Sequence, residues 1–434
     1  MPALSSVATR PTRRPIPRPT PRSGRRRLLP LAAVVAAAAC GGDDAPSAPI
    51  IDPLPSPTPV VMTVTGRGTL TSRYTAEVWA QGDYAYTSTW GVRGNPGLPG
   101  NAVFVWDVRG APQLVDSVVV PPVIDGTSVR TTGDVQVSDD GKLLVFPTEL
   151  GPGSLEIYSL ADPARPSPLA RFTSPNITRG VHTAELQRVG GKLYAFLSVN
   201  NGVSHPSRLM VVDLGDPANP REVMFRDMGK PFIHDVYVRD GRLFTALWND
   251  GVVIWDIGGG GKGGTVQNPI EIGRLLTKDG EAHNIWWFHE PATGLKRYAF
   301  VGQEGAATLF SSSSGDIHVV DISDPTQPKE VAFFNVPGAG THNFSVDEGR
   351  GILYAAYYNG GVQALDIAGD LSKCGFAPRA ADGRCDLRLM GRVLATGVAG
   401  AGTPVFVWGV HFTGNALYAS DMLNGLVKLA PVTR

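Results

Sequence analysis

The sequence predicts an all-β fold of seven four-stranded blades closed into a propeller, and three observations predict it. First, the 434-residue chain carries 52 glycines and 36 prolines that punctuate apolar runs without a collagen-like period, the composition of a turn-rich β protein. Second, an apolar run ending in aspartate recurs, often followed by a proline-bracketed turn: FVWDVRGAP, VVDLGDPANP, VIWDIGG, VVDISDPTQP and ALDIAGD, with serine in the last place of the run in IYSLADPARP. Third, a strand, a tight turn and a second strand recur seven times, as EVWAQGDYAYTS, DVQVSDDGKLLVF, ELQRVGGKLYAFL, DVYVRDGRLFTAL, NIWWFHEPATGLKRYAFV, NFSVDEGRGILYAAY and GVHFTGNALYASD. Irregular spacing with a constant order of elements is how a propeller with variable loops reads.

Taken in order, the chain opens on eight arginines before residue 40 with no acid among them: Arg10, Arg13, Arg14, Arg18, Arg22, Arg25, Arg26 and Arg27. Arg25-Arg26-Arg27 precedes LLPLAAVVAAAAC, an apolar run too short to span a bilayer and ending in small residues, the layout of a cleaved export signal. The run ends at Cys40, followed by Gly41-Gly42-Asp43-Asp44, and so resembles a bacterial lipoprotein signal, which implies lipidation of Cys40 and a cell-envelope location. Residues 1–40 are therefore read as signal. Residues 41–59, rich in proline, serine and alanine, form a tether, and 60–434 form the propeller.

The formal net charge is +0, with 39 basic and 39 acidic residues; without the eight leading arginines, 31 basic residues face 39 acidic ones. That balance argues against nucleic acid as a partner. Export also shapes the reading of Cys374 and Cys385, the two cysteines besides Cys40: in an oxidising compartment they most simply form a disulfide.

Within the propeller, the fourth unit shows the pattern. HDVYV is the inner strand, LFTALW the second, GVVIWDI the third and IEIGRLL the outer one. Asp250-Gly251, Asn359-Gly360 and Asn424-Gly425 suit hairpin turns whose central residues tolerate positive φ. The Asp-Pro-x-x-Pro segments from Asp162, Asp216 and Asp324 end strands, because proline donates nothing to a ladder. The last unit lacks an outer strand, which Val60–Leu70 is placed to supply, closing the ring. These aspartate-ending runs, with tyrosine-rich hairpins such as GRLFTALWNDGV and GILYAAYYNGGV, resemble the LVIVD repeat. The resemblance implies an extracytoplasmic propeller and leaves the biochemical role open.

Aligning the seven inner strands on their hairpins gives a column Ala76, Gly133, Ala184, His234, His283, His342 and Trp408. The next column reads Glu77, Asp134, Glu185, Asp235, Asn284, Asn343 and Gly409. His182 lies two residues before Ala184, on the same strand face. His411, three residues past Trp408, is expected on the other face. Inner strands line a propeller's channel, so His182, His234, His283 and His342 are candidates for one cavity at its rim. Three readings stand. The imidazoles bind zinc, copper or iron, with the adjoining acids and amides holding their tautomers, or they form a polar belt tying blade to blade, or they line a pocket for a polar ligand without metal.

Other features rank lower. His205, His289 and His318 are expected to be surface or packing residues. Trp248, Trp255, Trp286 and Trp287 suit sheet cores, or else a stacking platform for sugar. GGGGKGG, residues 258–264, lacks the setting of a phosphate loop and reads as a flexible insertion. The expected function is a monomeric binding or scaffold module at the bacterial cell surface, engaging a surface protein or small ligand and touching membrane only through its lipid anchor. No catalytic residue is named. A metal-dependent enzyme with its site at the channel rim is the alternative, and carbohydrate binding a second.

Overall fold

Runs such as Leu143-Leu144-Val145-Phe146 have no solvent-facing alternation, and all but Leu143 (8%) are wholly buried. Such a run must be covered on both faces, which a stack of sheets provides. The computed structural model describes residues 59–91, 98–121, 123–124, 127–128, 131–149, 153–177, 179–200, 206–229, 232–398 and 403–433. The chain divides into Met1–Asp52 and Pro53–Arg434; the predicted signal with Cys40, nearly all of the tether, and His205 lie outside the described residues.

Among the described residues there is no helix, and seven antiparallel blades follow one another around a channel. Blade 1 comprises Tyr74–Gln81, Tyr84–Trp90, Ala102–Asp107 and Gln113–Val119. Blade 2 comprises Gln136–Val137, Leu143–Thr148, Ser154–Ser159 and Ser167–Phe172. Blade 3 comprises Val181–Val189, Lys192–Val199, Arg208–Asp213 and Arg221–Asp227. Blade 4, with Asp235–Arg239, Arg242–Ala246, Val252–Asp256 and Ile270–Leu275, follows the sequence reading strand for strand.

Blade 5 comprises Ala282–Trp287, Tyr298–Gln303, Ile317–Asp321 and Lys329–Phe334, with Cys385–Asp386 added in parallel at its edge. Blade 6 comprises Phe344–Asp347, Ile352–Ala356, Val362–Asp366 and Val393–Gly397. Blade 7 supplies only Val407–Phe412, Leu417–Asp421 and Gly425–Leu429 from the C-terminus.

The N-terminal segment completes the ring as predicted and does so twice. Val64–Thr69 is the antiparallel outer strand of blade 7, and Val60–Val61 adds a short parallel strand to blade 6. The closing strand needs its glycine at 68, because a Cβ there would strike the Trp106 ring of blade 1.

Among the described residues the apolar side chains gather into eight clusters with no single centre, seven of them lying one between each neighbouring pair of sheets and a small eighth uniting Tyr358, Phe406 and Met422. The repeated aspartate has a local cause. Oδ1 of Asp107, Asp213, Asp256, Asp321 and Asp366 each accepts the backbone N–H two residues on, at 2.8 to 3.0 Å, and Ser159 does so through its hydroxyl. Each ends the third strand in a side-chain-capped turn.

The glycine-rich loop departs from the sequence reading. It wraps around Asp256, whose carboxylate accepts N–H groups from Gly258, Gly260, Lys262 and Gly264 at 2.6 to 3.1 Å. Burial works against ionisation of Asp256, but the four donors outweigh it and hold its pKa at about 2. The loop is a nest filled by the protein's own anion. Cys374 and Cys385 are joined by a disulfide that fastens the short fifth strand beside blade 5.

Candidate functional site

The residues that open the inner strands come together at one rim of the channel. In blades 5 and 7 the ladder slips one residue at His283 and Trp408, and in blade 3 it slips at His182. Bulges of this kind re-aim a side chain that a regular pleat would send elsewhere. The slip at Trp408 also corrects the expectation for His411, which lines the channel and packs on Trp79 at 4.5 Å between ring centroids. Blade 3 carries its histidine two residues ahead of Ala184, as the count implied, and the bulge aims it at the neighbouring blade.

The four imidazoles form a continuous arc over blades 3 to 6. Ring centroids are 4.3 Å apart from His182 to His234, 3.8 Å from His234 to His283, and 4.1 Å from His283 to His342. Trp408 continues the arc at 4.4 Å from His342, and Trp90 lies 5.9 Å beyond. The two outer histidines have one nitrogen committed. His182 Nδ1 meets the Glu149 carboxylate, and His342 Nδ1 donates to the Trp408 carbonyl at 2.8 Å. Each therefore has Nε2 free of that bond, the arrangement second partners impose on metal-binding histidines.

The inner two histidines are different. Both are buried, and His234 Nδ1 and both nitrogens of His283 have no hydrogen-bond partner. Their carboxylate neighbour is Glu304, with Oε2 3.4 Å from His234 Nε2 and 3.8 Å from His283 Nε2. His182 Nε2 is 3.0 Å from His234 Nε2. Four ligands at about 2.0–2.1 Å from one tetrahedral ion stand roughly 3.3 Å from each other, so these spacings bracket that value. Among the described residues, His234, His283 and Glu304 form the one group of His, Cys, Asp or Glu whose ligand atoms all fall within 4.8 Å.

Burial, reinforced by the neighbouring imidazoles, holds His234, His283 and His342 well below the usual histidine range, so they are neutral, the form that binds metal. Burial also pushes His182 down, but Glu149 outweighs it and the net effect is a rise.

Glu304, Glu149 and Tyr358 were missed from the sequence, although a signal was there. The second strand of each blade runs antiparallel to the inner one, so the residues just past its end emerge at the rim where the inner strand begins. Glu149 follows Leu143–Thr148, Glu304 follows Tyr298–Gln303, and Trp248 and Tyr358 follow the second strands of blades 4 and 6 by two residues. Tyr358 donates its hydroxyl to Glu304 Oε1, leaving Oε2 toward the histidines. Trp248 stacks over His234 at 5.6 Å.

The turns that place these two aromatics differ from the predicted Asp-Gly and Asn-Gly centres. Positive φ falls on Trp248 (51°) and Gly251, and on Tyr358 (41°) and Gly361, in two matching loops. A bulky residue in that region costs about 1–3 kcal/mol and persists where the surroundings enforce it.

The second column performs the tying that was one reading of the histidines. Asp134 accepts the Ala184 N–H of the next blade at 2.8 Å, Gln136 bonds Glu185 and the Leu186 N–H at 2.8 Å, and Thr183 donates to the His234 carbonyl at 3.1 Å. Asn343 of blade 6 donates to Glu77 of blade 1, reaching past Gly409, where any Cβ would overlap the Glu77 carboxylate. Burial, with a contribution from Asp134, pushes Glu77 up to about 8. Burial is likewise the first cause that raises Glu185 to about 8, Asp235 to about 7 and Asp134 to about 6. Asn284 leaves its buried Oδ1 without a donor.

The remaining candidates fall away from the rim. His318 pairs with Glu330 at 2.7 Å, and His289 packs against Trp287 at 4.4 Å. The four tryptophans of blades 4 and 5 make no shared platform, since Trp255 and Trp287 are buried in different inter-blade clusters. That arrangement removes the basis for the sugar-platform reading.

Comparison with known proteins agrees with this architecture. The class is a seven-bladed β-propeller: the chain is similar to the crystal structure of the C-terminal WD40 domain of Sif2, at 9% identity, over 87% of this chain and 100% of that one, with a TM-score of 0.52. At that identity the likeness speaks for the fold alone. More particularly, the LVIVD repeat family matches residues 72–91, the inner hairpin of blade 1, and 312–336, which span the third and outer strands of blade 5. No curated protein matches the chain.

Proposed function

We propose that this protein is an exported binding module of the cell envelope that holds a first-row transition metal ion, zinc, copper or iron, at the rim of its channel. His234, His283 and Glu304 are the central ligands, with His182 and His342 at the flanks. The observation that carries the reading is the meeting of His234 Nε2 and the buried, unpartnered Nε2 of His283 with Glu304 Oε2, at 3.4 and 3.8 Å. A buried polar atom without a partner costs about 1–3 kcal/mol, and a metal ion bound to His283 Nε2 removes that cost there. Nitrogen-rich donors with one carboxylate suit these metals over magnesium or calcium.

The belt reading accounts for His182 and His342, whose Nδ1 atoms bond Glu149 and the Trp408 carbonyl of neighbouring blades, but not for the unpartnered nitrogens of His283. Export and anchoring at Cys40 rest on the N-terminal arginine cluster, the apolar run and the small residues before the cysteine. A bound ion would serve as a Lewis acid facing a channel of about 580 Å³.

Elemental analysis of protein purified without affinity metals, followed by calorimetric titration with zinc, copper(II) and iron(II), tests the reading. About one ion per chain is expected, lost in a His234→Ala, His283→Ala double variant. Wild-type protein that neither carries nor takes up any of the three would refute it.

A further inference from the structure

Blade 5 departs from its neighbours at the rim. In blades 4 and 6 the second and third strands are joined by tight turns over residues 247–251 and 357–361, whereas residues 304–316 join them in blade 5. The stem of this longer loop is fixed. Gly305 N–H donates to the Ser314 carbonyl at 2.9 Å, and a Cβ at Gly305 would strike Ser314. Ser313 Oγ donates to Asn359 Oδ1 at 2.5 Å and accepts the Gly340 N–H at 2.7 Å, which pins the stem to blade 6. Glu304 therefore stands at an anchored root.

The tip is held differently. Among the described residues, the hydrogen bonds of residues 306–312 stay within the loop, and residues 306–309, 311 and 312 are exposed. Phe310 turns inward. Its ring lies 4.9 Å from Tyr74, which opens the inner strand of blade 1, and 5.7 Å from Phe406, just ahead of the inner strand of blade 7. The loop is thus a strap from blade 5 to the far side of the rim, and ring packing holds its end. Phe310 has φ 65°, a conformation that a bulky residue keeps only where its surroundings enforce it.

The seat of that ring is aromatic and continuous with the channel. Tyr358, Phe406 and Met422 form its buried floor, with Tyr74, Trp90 and Trp408 packed against them. Trp90 and Trp408 also line the channel. Phe310 meets Tyr74 at 35° and Phe406 edge-on at 78°, tilted arrangements that aromatic pairs favour.

We infer that this seat is a binding slot for the ring of a small aromatic molecule, and that Phe310 is a built-in stand-in for that ring, which the tip of the strap lifts out when the ligand enters. An incoming ring restores the contacts with Tyr74 and Phe406, and release of the tip frees the Phe310 backbone from its enforced conformation. An aliphatic molecule of the same size fills the slot without the edge-on contact. The slot stands on the aromatic rim and needs no ion.

The test is an NMR titration of the chelator-treated protein with p-cresol and with 4-methylcyclohexanol, in wild type and in Phe310→Gly. Glycine keeps the positive φ without strain and empties the seat. With the stand-in gone the ligand no longer has to displace it, so the variant is expected to bind p-cresol at least about tenfold more tightly than wild type. Within the variant, p-cresol should exceed 4-methylcyclohexanol by about threefold or more. Phe310→Ala should show the same gain, so the reading survives if one of the two variants does not fold. Adding Tyr74→Ala should abolish the gain in a protein whose circular dichroism is unchanged. Equal affinity of wild type and the Phe310 variants, equal affinity for the two ligands, or a gain that persists with Tyr74→Ala would overturn the inference. Because the titration is made without metal, its failure leaves the rim ion standing, and failure of metal uptake leaves the slot standing.

Discussion

In blades 7, 1 and 2 the rim is built from Trp408, Ala76 and Gly133 over hydroxyl groups that find partners, whereas in blades 3 to 6 it is built from imidazoles, two of which do not. On the first side Thr75, Thr89, Thr131, Thr132 and Ser420 each donate to a backbone carbonyl, four of them across blade boundaries or along the seam that closes the ring. On the second, His234 and His283 are buried, and His234 Nδ1 and both nitrogens of His283 have no hydrogen-bond partner. The blades share one strand plan, so the difference lies in the rim side chains and in the local bulges and turns that aim them. A satisfied network stabilises closure, and an unsatisfied one at a similar depth has another use.

The largest expected effect separates the halves directly. His234→Ala with His283→Ala should lower metal affinity more than about 100-fold, read by calorimetry. Thr132→Val on the opposite side should leave affinity unchanged and cost about 1–2 kcal/mol of stability by denaturant unfolding. If the threonine variant lost metal binding too, the contrast between the halves would be broken.

A smaller effect sharpens it. Tyr358→Phe removes the hydroxyl that positions Glu304 and should weaken metal binding about 10- to 100-fold with little change in stability. An unchanged affinity would take Glu304 out of the site.

Asp256→Ala provides a control within the histidine-bearing half. Four N–H donors lose their acceptor in a loop that water can reach, so a loss of about 2 kcal/mol is expected, with metal uptake intact. Because the folded-state pKa of Asp256 is depressed to about 2, its contribution is present above the ordinary carboxylate pKa and disappears as pH falls toward 2. A melting-temperature series over that range should show the loss in wild type and not in the variant.

The smallest effect should be common to both halves. Glu77 in blade 1 and Glu185 in blade 3 are each raised to about 8. An acid raised on folding binds its proton more tightly in the native state, so its contribution is full below the unfolded pKa and fades as pH climbs through 8. Melting temperature should therefore fall between pH 5 and 9, and Glu77→Gln and Glu185→Gln should each flatten the fall. A flattening confined to one of them would show that the acid column, too, differs between the halves.

The fold was legible because its contacts are local in sequence. Each blade is a run of adjacent hairpins, and the aspartate that ends the third strand bonds a residue two places on, within the same quoted segment. The closing strand was legible from a missing one. The site was half legible. His234, His283 and His342 stand in register with the hairpins, and Tyr358 aligns with Trp248 in the repeat, but Glu304 reaches the rim from the far end of the second strand in a blade whose following loop breaks the repeat. Bulges at His182, His283 and Trp408 add a residue that alternation cannot reveal, which is why His411 was assigned to the wrong face. The glycine loop misled for a related reason: its composition suggested freedom, while Asp256, two residues before it, supplies the anion that orders it.

Anomalous diffraction from crystals soaked with zinc tests the central claim most directly. A peak is expected about 2.0–2.2 Å from one nitrogen each of His234 and His283 and from a Glu304 oxygen. Crystals that take up zinc elsewhere, or none at all, with the four imidazoles still in contact, would contradict it.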